Sequence, residues 1–430
     1  MASSRSLRSL DGLNFFLADV QTGVGPFVAI VLASQGLSAR AIGLALTFGS
    51  LAGVLSQVPI GAWVDATRHK RALLAGAIVA TAAAAIVLAL GPGLPVLFAA
   101  QALHGASTSV MGPAVMALSL GMVARGELGQ RLGRNRQFGA GGNLASAAFM
   151  GLVGYAMSPV AIFWVTALLA VPALVAVALI DPRDIDDTAA RGGAAGGPPT
   201  RLADLGSNRL LLVFMACAVL FHFANASMLP LLATVLGRGK ARQSSLLLSF
   251  CIMTTQVVVV LVAPWCGRQA ERWGRRPLLL LGFAFLPLRG LLFALTTRPE
   301  LLVAIQVLDG LAATAFMIVA PLVVADVTRG TGRFNVAQGA IGTATAAGAA
   351  VSTTATGYVV DRFGDAAGFC GLAAVALAGF ILLLMALPET QGARPEQRPE
   401  SGARRHPDVS DFEAPPSLPS PLSREIEDAR

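Results

Sequence analysis

The chain has 430 residues, of which 55% are hydrophobic and 13% charged, with a mean hydropathy of +0.68. A soluble domain carries about 25% charged residues, so this composition excludes an ordinary water-soluble protein. The net charge of +8 sits in short loops and tails rather than on one face, which excludes a nucleic-acid footprint.

Apolar runs of about 20 residues recur, each long enough to cross the bilayer as a helix. None shows the period-two alternation of a membrane barrel. In chain order the runs predict helices over 12–34, 41–64, 72–91, 94–122, 137–157 and 159–180, then 209–236, 244–264, 277–297, 300–326, 335–360 and 366–388. The expected fold class is therefore an all-α membrane protein with twelve spans. An even number puts both termini on one side. That side holds 25 of the 32 Lys and Arg residues, which places the termini and the central loop in the cytoplasm. The cluster Arg238-Gly239-Lys240-Ala241-Arg242 runs against the rule. The first apolar run contains Asp19 and lacks a cleavage site, so it reads as a span rather than a signal peptide. Cys217, Cys251, Cys266 and Cys370 are dispersed without metal-ligand spacing and read as small hydrophobes.

An internal repeat runs at about 206 residues. Ala18-Asp19 falls on Ala224-Asn225, GAWVDATRHKR (61–71) on GRQAERWGRRP (267–277), and QALHG (101–105) on QVLDG (306–310). A fourth anchor sets Gly133-Arg134-Asn135 against Gly332-Arg333-Phe334-Asn335. The organisation read from this is a terminus at 1–11, a six-helix bundle at 12–180, a Gly/Pro/Ala-rich linker at 181–208, a second bundle at 209–388, and a proline-rich disordered tail at 389–430.

The segment from Gly61 to Arg71 sets a Gly before Asp65 and then the basic group Arg68, Lys70 and Arg71. It resembles the signature between helices 2 and 3 of the major facilitator superfamily, and Gly267, Glu271, Arg272, Arg275 and Arg276 repeat it in the second half. The glycines allow close helix approach, and the carboxylates can meet basic groups and helix dipoles. The resemblance implies two pseudo-symmetric bundles and a cytoplasmic lock that breaks during transport. In the family's proton-coupled drug exporters helix 4 carries an Arg four residues before a Gly; here Gln101 holds that place before Gly105, with Gln306 as its repeat partner.

Ionisable groups inside spans are functional candidates by default. Asp19 lies about eight residues, or ~12 Å, into helix 1 and could carry a proton or meet a cationic substrate; Asn14 and Gln21 flank it. The run Gly23-Val24-Gly25-Pro26 predicts a kink. Arg289 and Asp309 fall at equal depth on consecutive helices and are expected to pair as a staple or a switch. Histidine as a residue type titrates near neutrality, which makes His104 and His222 candidates for proton transfer, with Asn225 one turn beyond His222.

No phosphate-binding GxxxxGK[ST] run is present, so the energy source is expected to be a gradient. The expected function is a secondary active transporter of a small molecule in the bacterial inner membrane, multi-pass, proton-coupled, monomeric, with no cofactor, metal or nucleic-acid partner. Export of a lipophilic or cationic compound is one reading. Uptake of a metabolite or metal chelate is another, and a non-transporting sensor or an enzyme on the same scaffold is the third.

Overall fold

Hydrocarbon offers backbone groups no water to bond, so a chain this apolar must satisfy them within helices. The computed structural model describes residues 2–22, 39–157, 160–193, 206–237 and 241–391. Among them the backbone is helical apart from turns and an isolated bridge pairing Gly193 with Gly330 and Thr331. The long helices are α1 (Ser4–Thr22), α2 (Ala39–Ala66), α3 (Lys70–Ala89), α4 (Leu94–Met122), α5 (Leu128–Ala156), α6 (Ala161–Leu179), α7 (Arg209–Ala226), α8 (Ala241–Arg272), α9 (Arg275–Leu295), α10 (Pro299–Val327), α11 (Phe334–Phe363) and α12 (Asp365–Ala386). Eight segments among the described residues are long and apolar enough to cross a membrane: α2, α3, α6, α8, α9, α10, α12 and the run from α7 to Leu232. The kink expected at 23–26 and the cluster at 238–240 lie outside the described residues.

Helices α1–α6 pack chiefly on one another, as do α7–α12, and the two groups meet along α2 with α11 and α5 with α8. Lipid tails are as apolar as leucine, so this packing rests on van der Waals fit rather than on escape from water. In the second group the ring of Phe221 stacks on Phe316 at 4.4 Å and tilts against Phe283 at 4.9 Å. Each such ring pair contributes about 0.5–1.5 kcal/mol beyond its buried area.

The repeat is visible in the packing itself. A side chain on Gly61 would run into the Asn335 carbonyl, and one on Gly267 into the Gly129 carbonyl. Gly339 likewise abuts the Gln57 carbonyl and Gly133 the Ala263 carbonyl. A shift of 206 residues carries each α2–α11 contact onto an α5–α8 contact. The arginines that open α3 and α9 repeat as well. Arg71 donates to the Val177 and Ala178 carbonyls of α6 (3.2 and 2.9 Å), and Arg276 to the Leu384 carbonyl of α12 (2.6 Å). Each satisfies last-turn carbonyls that a helix cannot pair internally.

Four sequence expectations change. The fourth repeat anchor is corrected: Gly129 and Gly133, not Gly133 to Asn135, match Asn335 and Gly339, because these residues fill equivalent places in the two seams. Helix α5 begins at Leu128 rather than 137, since Asp11 neutralises Arg131 and Arg134 and lets a polar first turn be buried. Helix 7 is interrupted after Ala226 and resumes as Met228–Gly237, where Pro230 would clash with the Ala226 carbonyl in a continuous helix. The two motif segments are largely helical, with only residues 67–69 and 273–274 between helices.

Part of the expected linker is ordered. Pro182–Asp184 forms a 3-10 turn and Asp187–Ala190 a short helix. Ser3 bonds Asp184, and Lys70 bonds Asp187 at 3.2 Å, so the N-terminus, linker and motif turns gather at one end of the molecule, the linker end. There the Gly330 amide donates to Gly192 (2.7 Å) and the Phe334 amide to Arg191 (3.2 Å), clipping the linker to the turn between α10 and α11.

Glu389, just past α12, faces the start of α9. Gly274, with φ of +93°, makes the tight entry there, and Glu389 accepts from the Arg275 and Arg276 amides at 2.9 and 3.0 Å. Burial alone would raise this carboxyl's pKa, but four backbone N–H donors outweigh it and hold the group below the usual range. A depressed folded pKa means the contribution is complete above the unfolded value of ~4.3 and is lost as pH falls through the folded value. Glu389→Gln is therefore expected to lower the detergent-solubilised protein's stability at pH 7 by about 1 kcal/mol. In paired thermal melts the gap should narrow below pH ~4; a gap that widens on acidification contradicts this cap.

Candidate functional site

The two motif carboxylates reach across the seam between bundles. Asp65, at the last turn of α2 and 3% exposed, accepts from the Asn335 and Val336 amides (3.2 and 3.0 Å) and the Asn335 side chain (2.7 Å). Those amides are the unsatisfied first turn of α11. Glu271, at the last turn of α8, accepts from the Gly129 amide of α5 at 2.6 Å. Each acid thus caps a helix of the other bundle, where the helix dipole favours negative charge. Arg275 backs Glu271 (3.1 Å) and also bonds Asp326 (3.1 Å), which in turn holds Arg329 (3.2 Å). Arg68 and Arg272 are exposed, whereas Lys70, Arg71, Arg275 and Arg276 each hydrogen-bond to neighbouring helices or turns.

Deeper in the second bundle Arg289, 1% exposed, donates to Asp309 (2.8 Å) and to Asn225 (2.5 Å). Thr255 of α8 donates to the other Asp309 oxygen at 3.0 Å. The equal-depth argument from sequence thus meets a real pair, and it also draws in the repeat partner of Asp19. His222 stands apart, edge-on to Phe316 at 5.0 Å.

The first bundle also holds buried polar atoms without partners. Between α2 and α4 a cavity of about 360 Å³ is lined by Ser50, Gln57, Gln101, His104 and Thr108. Gln57 Oε1, Gln101 Nε2 and His104 Nδ1 are buried there without a hydrogen-bond partner. Gln306, the repeat partner of Gln101, is fully buried with neither amide atom bonded. A second cavity of about 250 Å³ lies between α1, α4, α5 and α10; Asn14, Asn143, Arg136 and Met317 line it. Asn14 returns its amide to the Leu10 carbonyl at 2.7 Å. Asp19 and Gln21 belong to the last turns of α1, and their side chains lie outside the described residues.

Sequence reasoning missed Asp11, Arg131 and Arg136. Asp11 joins Arg131 and Arg134 (2.7 Å to Arg134) between α1 and α5, and Arg131 hands on to Asn135 at 2.8 Å, which bonds Ser119 at 2.7 Å. All three arginines were counted as loop charge. Their i, i+3 and i+5 spacing, with Asp11 one turn before Asn14, was the available signal. Among the described residues no group of three His, Cys, Asp or Glu side chains could hold a metal.

Removing one member of the buried pair strands the other. Arg289→Met should destabilise the protein by about 3–5 kcal/mol, and adding Asp309→Leu should restore most of that loss. Thermal melts of the single and double variants check this; a double variant no better than the single contradicts the pairing energetics.

Comparison with known proteins gives the family. The family model described as Major Facilitator Superfamily matches residues 11–268 and 240–424. Two relatives from Mycobacterium tuberculosis, strains CDC 1551 / Oshkosh and ATCC 25618 / H37Rv, are described as uncharacterized MFS-type transporters. Each is 42% identical over 408 residues, covering 93% of this chain and 98% of the relative. Among solved structures, the human organic anion transporter MFSD10 (TETRAN) superposes with a TM-score of 0.67 at 17% identity, covering 89% of this chain and 100% of that one; at that identity the likeness speaks for the fold. The chain belongs to the Major Facilitator Superfamily, a family of membrane transporters and not of enzymes.

Proposed function

We propose that the chain is a secondary active transporter that moves a small molecule across the bacterial cytoplasmic membrane by alternating access. Its helices form twelve spans in two bundles, with both termini in the cytoplasm, and it works as a monomer. The observation that carries this reading is the exchange of helix caps between bundles, Asp65 onto α11 and Glu271 onto α5. Both caps lie at one end of the seam, so rocking one bundle against the other breaks both together and exposes the cavities from that side. A charged cap contributes about 1–2 kcal/mol. Two such caps make a bias of a few kcal/mol, large enough to favour one state and small enough for a ligand to reverse. The accumulation of Lys and Arg at this end supports its assignment to the cytoplasm.

Coupling to protons is the accompanying proposal, with Asp19 as the coupling carboxylate and His104 and His222 as supporting groups. Arg289 and Asp309 hold α9 and α10 in register beneath Asn225. Export is the first direction. Uptake of a metabolite or chelate is the second reading, supported by the unsatisfied amide and imidazole atoms of Gln57, Gln101 and His104 around one cavity.

Proteoliposomes holding a pH dye, challenged with cations, organic acids and metal chelates, test the coupling. Wild-type protein is expected to move protons with at least one compound, and Asp19→Asn to lose that flux while still binding the compound. Transport without proton movement, unchanged in Asp19→Asn, rejects Asp19 as the coupling site.

A further inference from the structure

We propose that Arg136 binds an anionic group on the transported molecule, in the cavity between α1, α4, α5 and α10, so that the substrate is a small organic acid. This rests on the carrier reading above. Arg136 lies about two turns into α5, is half-buried, and lines that cavity together with Asn14, Met111, Met116, Asn143 and Met317. It is the one charged residue among the described lining.

The treatment of the other buried cations sets Arg136 apart. Arg131 has Asp11, Arg275 has Glu271 and Asp326, Arg289 has Asp309, and Lys70 has Asp187. Among the described residues Arg136 has no carboxylate at ion-pair distance, and its Nε is buried without an acceptor. A buried guanidinium nitrogen without an acceptor is costly inside a membrane protein, and a ligand carboxylate aimed at it relieves that cost.

The lining then describes the ligand. A guanidinium fork matches a carboxylate through two parallel N–H bonds. The thioethers of Met111, Met116 and Met317 are soft apolar surfaces that adapt to an irregular body. A cavity of about 250 Å³ is at the small end for ligand sites, which fits a compact monocarboxylate. Met317 comes from the second bundle, so the ligand touches both halves and its binding differs between the two states of the carrier, as a driver of the switch must.

The test uses the full chain in nanodiscs, with thermal melts in the presence of monocarboxylates from acetate to decanoate and benzoate, beside the primary amines and amides of the same skeletons. At least one carboxylate is expected to stabilise the wild type, the matched amine and amide are not, and Arg136→Gln should weaken the carboxylate ~10-fold or more. Arg136→Lys should keep part of the binding, and Arg136→Gln without ligand should melt no lower than wild type, which reports an intact fold. Stabilisation by amines alone, by acids equally in Arg136→Gln, or by no acid in the wild type overturns the inference. The same proteins in proteoliposomes separate it from the carrier reading. An acid bound through Arg136 but not moved leaves the anion site standing and contradicts transport. An amine moved with no acid bound leaves transport standing and contradicts the anion site.

Discussion

A carboxylate set on the first turn of a helix that belongs to the other half of the molecule is the interaction on which the rest depends. Asp65 and Glu271 each sit at the end of one helix and satisfy the opening amides of another, α11 and α5. The glycines one turn earlier, Gly61 and Gly267, let the backbones come close enough for that reach. Neither part works alone: a bulkier residue would hold the seam open, and a seam without the acids would leave two helix ends unsatisfied. The chemistry is strong because the amides are aimed and partly desolvated, and the ion pair behind it, Glu271 with Arg275, lies within one bundle and need not break when the seam opens. Opening that end of the seam brings water to both the acid and the amides. This is why such a contact suits a reversible closure better than a salt bridge would.

Symmetry of skeleton and asymmetry of chemistry run together. The two seams, the arginines capping α6 and α12, and the tight approaches of α2 to α4 and α8 to α10 repeat at nearly the same spacing. The polar interiors do not repeat. The second bundle ties Arg289, Asp309, Asn225 and Thr255 together, with Arg289 Nε and both amide atoms of Gln306 left unbonded, while the first leaves Gln57, Gln101, His104 and Arg136 with buried unbonded atoms. A bonded cluster rigidifies its bundle, and unsatisfied groups beside cavities are where a ligand gains most by binding.

The fold class and the motif were legible because they depend on local rules: apolar length, charge placement and a repeated run of residues. The pairing of Arg289 with Asp309 was legible from depth alone. Helix α5 was misread because hydropathy treats Arg131, Arg134 and Arg136 as loop charge, and only the tertiary partner Asp11 explains how that turn is buried. The same omission hid Arg136, whose Nε has no acceptor among the described residues. The fourth repeat anchor failed for a related reason. Matching letters around Gly133 and Gly332 ignored that a glycine's role in a seam is set by the carbonyl opposite it, which places Gly133 with Gly339.

The most direct measurement of the closure is a pulsed electron-resonance distance across the α2–α11 seam. Spin labels would be placed at exposed Arg68 and at Thr331 in a cysteine-free background, in nanodiscs. Wild-type protein should give a dominant short-distance population, and Asp65→Asn with Glu271→Gln should add a longer population as the linker end opens. A distance distribution that the double variant leaves unchanged would contradict the account, since the exchanged caps would then not be what holds the two bundles closed.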